Sequence, residues 1–342
     1  MSRELLAQLQ SAHAFDAAPL RSSMHELHVP FDELTGNRGC ETRLLDAVRG
    51  GHRVALVGVS GSGKTSVTES VLGPLVEGLA PIPVPVYVET PEIATDPSMF
   101  ARHLVGLVRR WVHDGLPRQS GRAAGVGQRP TPQTRKFTIA PGWLGAKVEL
   151  GYELRQATED HPTSSSEHLD QARQLLSIIA ANDLKPVLVL DDTDRWLNVS
   201  WQPDSLTLRA AFFGRVIRVL AEDLATAAVV AVHPTYLTDA DYRAASGFLD
   251  TTIRVPALPS PDAVGRVLAR RASMVLGLPE DSVLGVFVTS AAVELLFEQY
   301  RPDPDLRQRV LQVAHLALTL AVDDAADWLD ERHVRSALAE TS

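Results

Sequence analysis

The chain has 342 residues, 45% hydrophobic and 22% charged, with a formal net charge of -9. That length suits two domains, or one large domain with a satellite, and the acidity excludes indiscriminate coating of nucleic acid. The lone cysteine, Cys40, excludes an internal disulfide; no run reaches the roughly 18–20 apolar residues that cross a bilayer and the opening MSRELLAQLQ is not a signal peptide, so the reading is a cytoplasmic protein with no membrane partner.

Residues 1–33 read as a mixed, partly helical N-terminal segment, and residues 34–50 predict a helix. A short apolar run over 52–59 follows, too short for a helix and suited to a buried parallel strand. A helix from Lys64 to about Leu72 comes next, then a strand over Val84–Val88. Met99–Val112 predicts a helix with Phe100, Leu104, Leu107, Val108 and Trp111 on one face. Residues 114–136 have no periodicity. Seven basic residues against one acidic between Arg109 and Lys136 give a local charge of +6, the pattern of a solvated loop. Phe137–Arg155 reads as a β-hairpin turning at Pro141-Gly142, because Val148, Leu150, Tyr152 and Leu154 alternate with Lys147, Glu149, Gly151 and Glu153.

The pattern continues with a helix over Glu167–Asn182, a strand over Pro186–Leu190, a helix over Leu206–Leu224 and strands over Ala228–Val232 and Thr252–Val255. From Ser260 it is all helical. Ser260-Pro261 and Asp303-Pro304 each pair an N-cap with an N1 proline, the second before a helix over Leu306–Leu320. The last helix spans Glu331–Leu338. The alternation through residue 256 implies an α/β fold with a parallel, doubly covered sheet. The expected organisation is a RecA-like core over 34–256, with an insert at 114–160, and a helical lid over 257–342.

The strongest chemical signal is GVSGSGKT, Gly58–Thr65. Glycines Gly58, Gly61 and Gly63 let the backbone wrap phosphates, and the amides of about Gly61–Thr65 point inward at the positive end of the next helix, with Ser60, Ser62 and Ser66 in the same nucleotide-binding set. Lys64 reaches the β- and γ-phosphates and the Thr65 hydroxyl takes magnesium. The motif sits where it must, after a buried strand and before a helix. The expected ligands are therefore ATP and Mg2+. VLVLDDTDRW, Val187–Trp196, ends an apolar strand in carboxylates. Asp191 would hold magnesium and Asp192 would orient or deprotonate the attacking water. Aspartate at 192 is one methylene shorter than glutamate, which predicts slow turnover. His25 and His28 have no second ligand pair and read as surface residues.

With both motifs placed, the chain resembles the AAA+ superfamily, especially its origin-recognition branch. Phe31–Val48 is similar to the segment before the Walker A strand, which implies Gly36 and Arg38 as base-pocket candidates. Val229–Leu237 resembles the sensor 1 region, implying His233, with Thr235 as the alternative. Tyr242–Ala263 resembles the passage into the lid, implying Arg243 as arginine finger, with Arg254 competing. Pro304–Ala321 and Trp328–Leu338 resemble the lid, implying Arg307 as sensor 2. The DDTDR string is also similar to KAP- and STAND-type signalling NTPases. Three readings stand open. One is a nucleotide-controlled AAA+ switch, homo-oligomeric with ATP, with a protein client and duplex DNA as candidate partners. The second is a signalling NTPase working through protein alone. The third is a small-molecule kinase, disfavoured by Asp191-Asp192 and the helical tail.

Overall fold

The structure is a computed structural model, and it describes residues 2–16, 24–72, 82–85, 91–115, 153–154, 156–157, 164–181, 185–197, 205–301 and 307–341. Helix α1 spans Ser2–Ser11. The single helix predicted over 34–50 is instead two: α2, Phe31–Thr35, and α3, Glu41–Arg49. Gly36 ends α2 in a left-handed conformation at φ 69, which costs glycine nothing. Asp32 then starts α3, its carboxylate accepting from the backbone amides of Gly39, Cys40 and Thr42. Glu41 reciprocates by accepting from the amides of Phe31 and Asp32. Each helix thus supplies the other's missing N-terminal acceptors.

Strand β1, Arg53–Val57, leads through the glycine loop into α4, Lys64–Leu72. Strand β2 spans Ile82–Pro85, α5 Pro97–Gly115 and α6 Ser165–Ala181. Strands β3, Pro186–Leu190, β4, Ala227–Val232, and β5, Thr251–Arg254, complete a five-stranded sheet in the order β2-β3-β4-β1-β5. β3 pairs in parallel with β2 and β4. β5 runs parallel to β1, since Asp250 N–H donates to Arg53 and Val255 N–H to Val57. Two prolines in β2, Pro83 and Pro85, are tolerated because β2 is an edge strand. β3 and β4, buried at every position, read as unbroken apolar runs because side chains on both faces of the sheet are covered.

Two local expectations change. The helix expected over Leu206–Leu224 carries a π-turn at Phe212–Val216. Phe212 and Phe213 are adjacent and both buried, and a widened turn lets neighbouring side chains share one face. The hairpin expected over Phe137–Arg155 lies outside the described residues except near its end, where Glu153 and Leu154 are helical. Leu154 and Ala157 are both buried, an i, i+3 face in place of the period-two pattern.

Four long helices follow: α7, Pro261–Leu276, α8, Ser290–Tyr300, α9, Arg307–Asp323, and α10, Glu331–Thr341. Ser260 caps α7 as expected, accepting from Ala263 N–H with Pro261 at the first position. Asp303-Pro304 lies outside the described residues. The chain divides into two units. One comprises Met1–Arg43, Val57–Ser70 and Arg254–Ser342; the other comprises Leu44–Leu56 and Val71–Ile253. In the first, α1 packs on α7 and α9. Arg271, on α7, anchors the end of the α1 turn by donating to the carbonyls of Ala14 and Asp16. Burial pulls its pKa down to about 10. In the second, α5 packs along α6.

Candidate functional site

The glycine loop, with the N-terminal segment and the helical tail, belongs to the first unit. Gly61 and Gly63 hold φ 82 and φ 99, values that L side chains rarely adopt. At Gly58 any added Cβ would collide with the Ser62 hydroxyl. Lys64 is buried, and its Nζ donates to the carbonyls of Gly58 (2.6 Å) and Val59 (2.9 Å). The loop's own oxygens therefore fix the ammonium. Ser62 Oγ is buried with no hydrogen-bond partner.

Arg307 opens α9 against this loop. Its Nη1 lies 3.1 Å from where a Cβ on Gly63 would stand, and its Cζ lies 3.5 Å from the centroid of the Phe31 ring. The Gln308 amide donates to Gly61 O at 3.2 Å. Arg307 Nε and Nη2 are shut off from solvent and have no partner. Burial pulls its pKa down to about 10, against the opposing influence of Tyr300, Glu41 and Cys40. A guanidinium kept out of water with donors unused is costly unless an anion completes it. The two orphaned groups, Ser62 and Arg307, together with a cradle that side chains would fill, fit a polyphosphate.

The same unit corrects the reading of His28 as a surface residue. Its side chain is 1% exposed. Nε2 lies 2.8 Å from Glu41 Oε1 and Nδ1 lies 2.7 Å from Ser66 Oγ, in the first turn of α4. The partners are 13 and 38 residues away in sequence, so no local spacing marks them. The one available signal is His28's position between apolar Leu27 and Val29. Gly36 and Arg38 are exposed in the turn between α2 and α3. Burial, with Glu41 and Asp32 alongside, pushes the Cys40 thiol up to about 12, which removes it as a nucleophile.

The acidic strand end belongs to the second unit. β3 and β4 are in register, Leu190 opposite Val230, so Asp191, Asp192 and His233 leave one edge of neighbouring strands. Thr193 is buried and its hydroxyl donates to Ala231 O, tying the two strand ends together. Asp192 is held at φ 54, left-handed backbone that aspartate tolerates better than most side chains. His233 and Thr235, the two sensor 1 candidates, are bonded to each other: Nδ1 lies 2.7 Å from Thr235 Oγ1 and accepts from Thr235 N–H. Behind them Tyr236 is buried under the Arg209 guanidinium, which pairs with Asp239 at 3.0 Å. Burial and the nearby Asp194 carboxylate push the Tyr236 phenol upward. Arg243, in the last turn of Ala240–Ala245, and Arg254, on β5, are both exposed.

No family model and no curated protein sequence matches the chain. Among solved structures it is similar to the ORC2 protein of Aeropyrum pernix in its ADPNP-ADP complexes, at 15% identity and TM-score 0.52, covering 96% of this chain and 72% of that chain. It is also similar to the ORC1 protein of Aeropyrum pernix in complex with DNA, at 17% identity and TM-score 0.50, covering 94% and 71%. The fold is thus that of these two ORC structures: a RecA-like α/β core with a helical C-terminal domain. The resemblance read from the motifs is matched at the level of architecture.

Proposed function

We propose that the chain is a magnesium-dependent AAA+ ATPase that works as a nucleotide-controlled regulatory or assembly switch. The observation that carries this is the guanidinium of Arg307, stacked on Phe31 with Nε and Nη2 shut off from solvent and without a hydrogen-bond partner, against Gly63 of the glycine loop. Lys64 and the loop amides bind the β- and γ-phosphates, and Arg307 completes the charge from the lid. Thr65 and Asp191 hold magnesium. Among the described residues no three His, Cys, Asp or Glu side chains converge on a metal. That suits an ion that takes most of its ligands from phosphates and water. Asp192 orients the attacking water, His233 or Thr235 contacts the γ-phosphate, and Gly36 and Arg38 border the base. In a homo-oligomer, Arg243 of a neighbouring copy completes the transition-state charge. The similar ORC2 structure is of ADPNP-ADP complexes and the similar ORC1 structure is in complex with DNA, which supports a nucleotide as ligand and DNA as partner; a protein client is the further partner proposed.

The test is the steady-state ATP hydrolysis rate with and without duplex DNA, with Lys64→Ala as blank. We expect slow, Lys64-dependent release of phosphate that DNA accelerates. A Lys64-dependent rate that DNA leaves unchanged favours the signalling NTPase that acts through protein partners. Phosphate appearing on a small acceptor instead of in water would overturn the ATPase reading, as would a rate indifferent to Lys64→Ala.

A further inference from the structure

His28, Glu41 and Ser66 form a hydrogen-bonded chain, buried at His28 and Glu41 and partly exposed at Ser66. Glu41 is fully engaged as an acceptor. Oε1 takes His28 Nε2 and the Phe31 amide, and Oε2 takes the Asp32 amide. A carboxylate has no hydrogen to give, so Nε2 must carry one. In the neutral imidazole, Nδ1 is then an acceptor, and Ser66 Oγ–H must donate to it across 2.7 Å. The serine hydrogen is thereby turned toward His28 and away from the loop. If Nδ1 gains a proton, the bond reverses. Nδ1–H donates to Ser66 Oγ, and the serine hydrogen is released to another acceptor.

Ser66 follows Thr65 in the first turn of α4, where the helix end and the loop amides favour negative charge. A polyphosphate seated there would gain both a hydroxyl donor and a nearby imidazolium. Groups from three helices face His28. Glu41, on α3, supplies a negative partner at 2.8 Å, Ser66 on α4 is neutral, and the Phe31 ring on α2 presents an edge contact at 6.1 Å. The opposing charge is Arg307 on α9, which stacks over the same Phe31 ring and is attracted to the same Glu41.

Resting on the nucleotide-binding reading, we propose that His28 is a positioning residue for the phosphate loop, which takes up a proton when the loop fills and turns the Ser66 hydroxyl toward phosphate. Binding of Mg-ATP then tightens toward acid pH, beyond what the nucleotide's own titration gives. Glutamine at this position keeps a donor and an acceptor but has no proton to gain, so His28→Gln is the informative variant.

The experiment is calorimetric titration of the full chain with Mg-ATP at pH 6, 7 and 8, in buffers of different ionisation enthalpy, for wild type, His28→Gln and Lys64→Ala. We expect greater proton uptake by wild type than by His28→Gln, and a wild-type-to-variant affinity ratio that grows about threefold or more from pH 8 to pH 6. Equal proton uptake and a constant ratio, with ATP still bound, would overturn the role of His28 and leave the nucleotide reading intact. Binding unaffected by Lys64→Ala would instead sink the nucleotide reading. Should His28→Gln fail to fold, Ser66→Ala serves. It removes the hydroxyl that the protonated ring releases, and uptake matching wild type would likewise overturn the inference.

Discussion

The surroundings of the phosphate loop and the acidic edge of the sheet solve opposite problems. Around the loop, charge is buried and left incomplete: Lys64 is held by backbone oxygens, while Arg307 has donors unused. At the sheet edge, Asp191 and Asp192 are partly exposed, and what is fixed is backbone, through Thr193 and the left-handed Asp192. On the proposed reading, the first arrangement leaves an electrostatic need for a ligand to relieve, and the second fixes geometry for a step that follows binding. Substitutions in the two regions should therefore separate affinity from turnover.

The largest effect expected is on turnover. Asp192→Asn keeps the shape and the left-handed preference, so ATP should still bind, but a group that orients or deprotonates water contributes on the order of 10²–10⁴ in rate. Single-turnover hydrolysis beside a binding titration checks this, and loss of binding would erase the distinction between the regions. Next comes Arg307→Met. Removing a charged hydrogen-bonding partner should weaken ATP by roughly 1.5–3 kcal/mol, while the melting temperature without nucleotide changes little, because the stacking lost from Phe31 is offset by removing a charge with two unsatisfied donors. A variant that loses stability and keeps affinity would show that Arg307 is structural.

The smallest effect is at the reciprocal caps. Asp32→Ala removes the acceptor of three amides and should cost roughly 0.5–2 kcal/mol. Burial raises the Asp32 pKa, but the hydrogen bonds from Cys40, Thr42 and Gly39 outweigh it and leave it lowered from 3.8. A lowered folded pKa means that stability is present above the ordinary carboxylate value and lost as pH falls through the folded one. Acid unfolding of wild type and Asp32→Ala should accordingly converge only once the pH has fallen well below 3.8.

What the sequence made legible was local. Gly58–Thr65 announces itself because loop wrapping, lysine and hydroxyl must be contiguous, and Asp191-Asp192 because a buried strand ends there. The parallel sheet followed from alternation, and Arg307 from resemblance. The misses were tertiary or depended on short breaks. Gly36 and the Asp32 cap split a helix that periodicity joined. Phe212-Phe213 required a π-turn that a 3.6 period does not foresee. His28 looked like a surface residue because its partners come from α3 and α4, and burial of a polar side chain is written in contacts between distant segments.

Helix α9 begins on the loop itself, the Gln308 amide resting on Gly61 O, and runs for 17 residues. At 1.5 Å per residue that is a rod of about 25 Å, seated at one end on the glycine loop. A tilt of about 10° at that end would sweep the far end by roughly 4 Å. Sub-ångström adjustments of the loop are thus geared up along α9 to its tip and to α10 packed beside it, as a balance beam magnifies the settling of a small weight near its fulcrum.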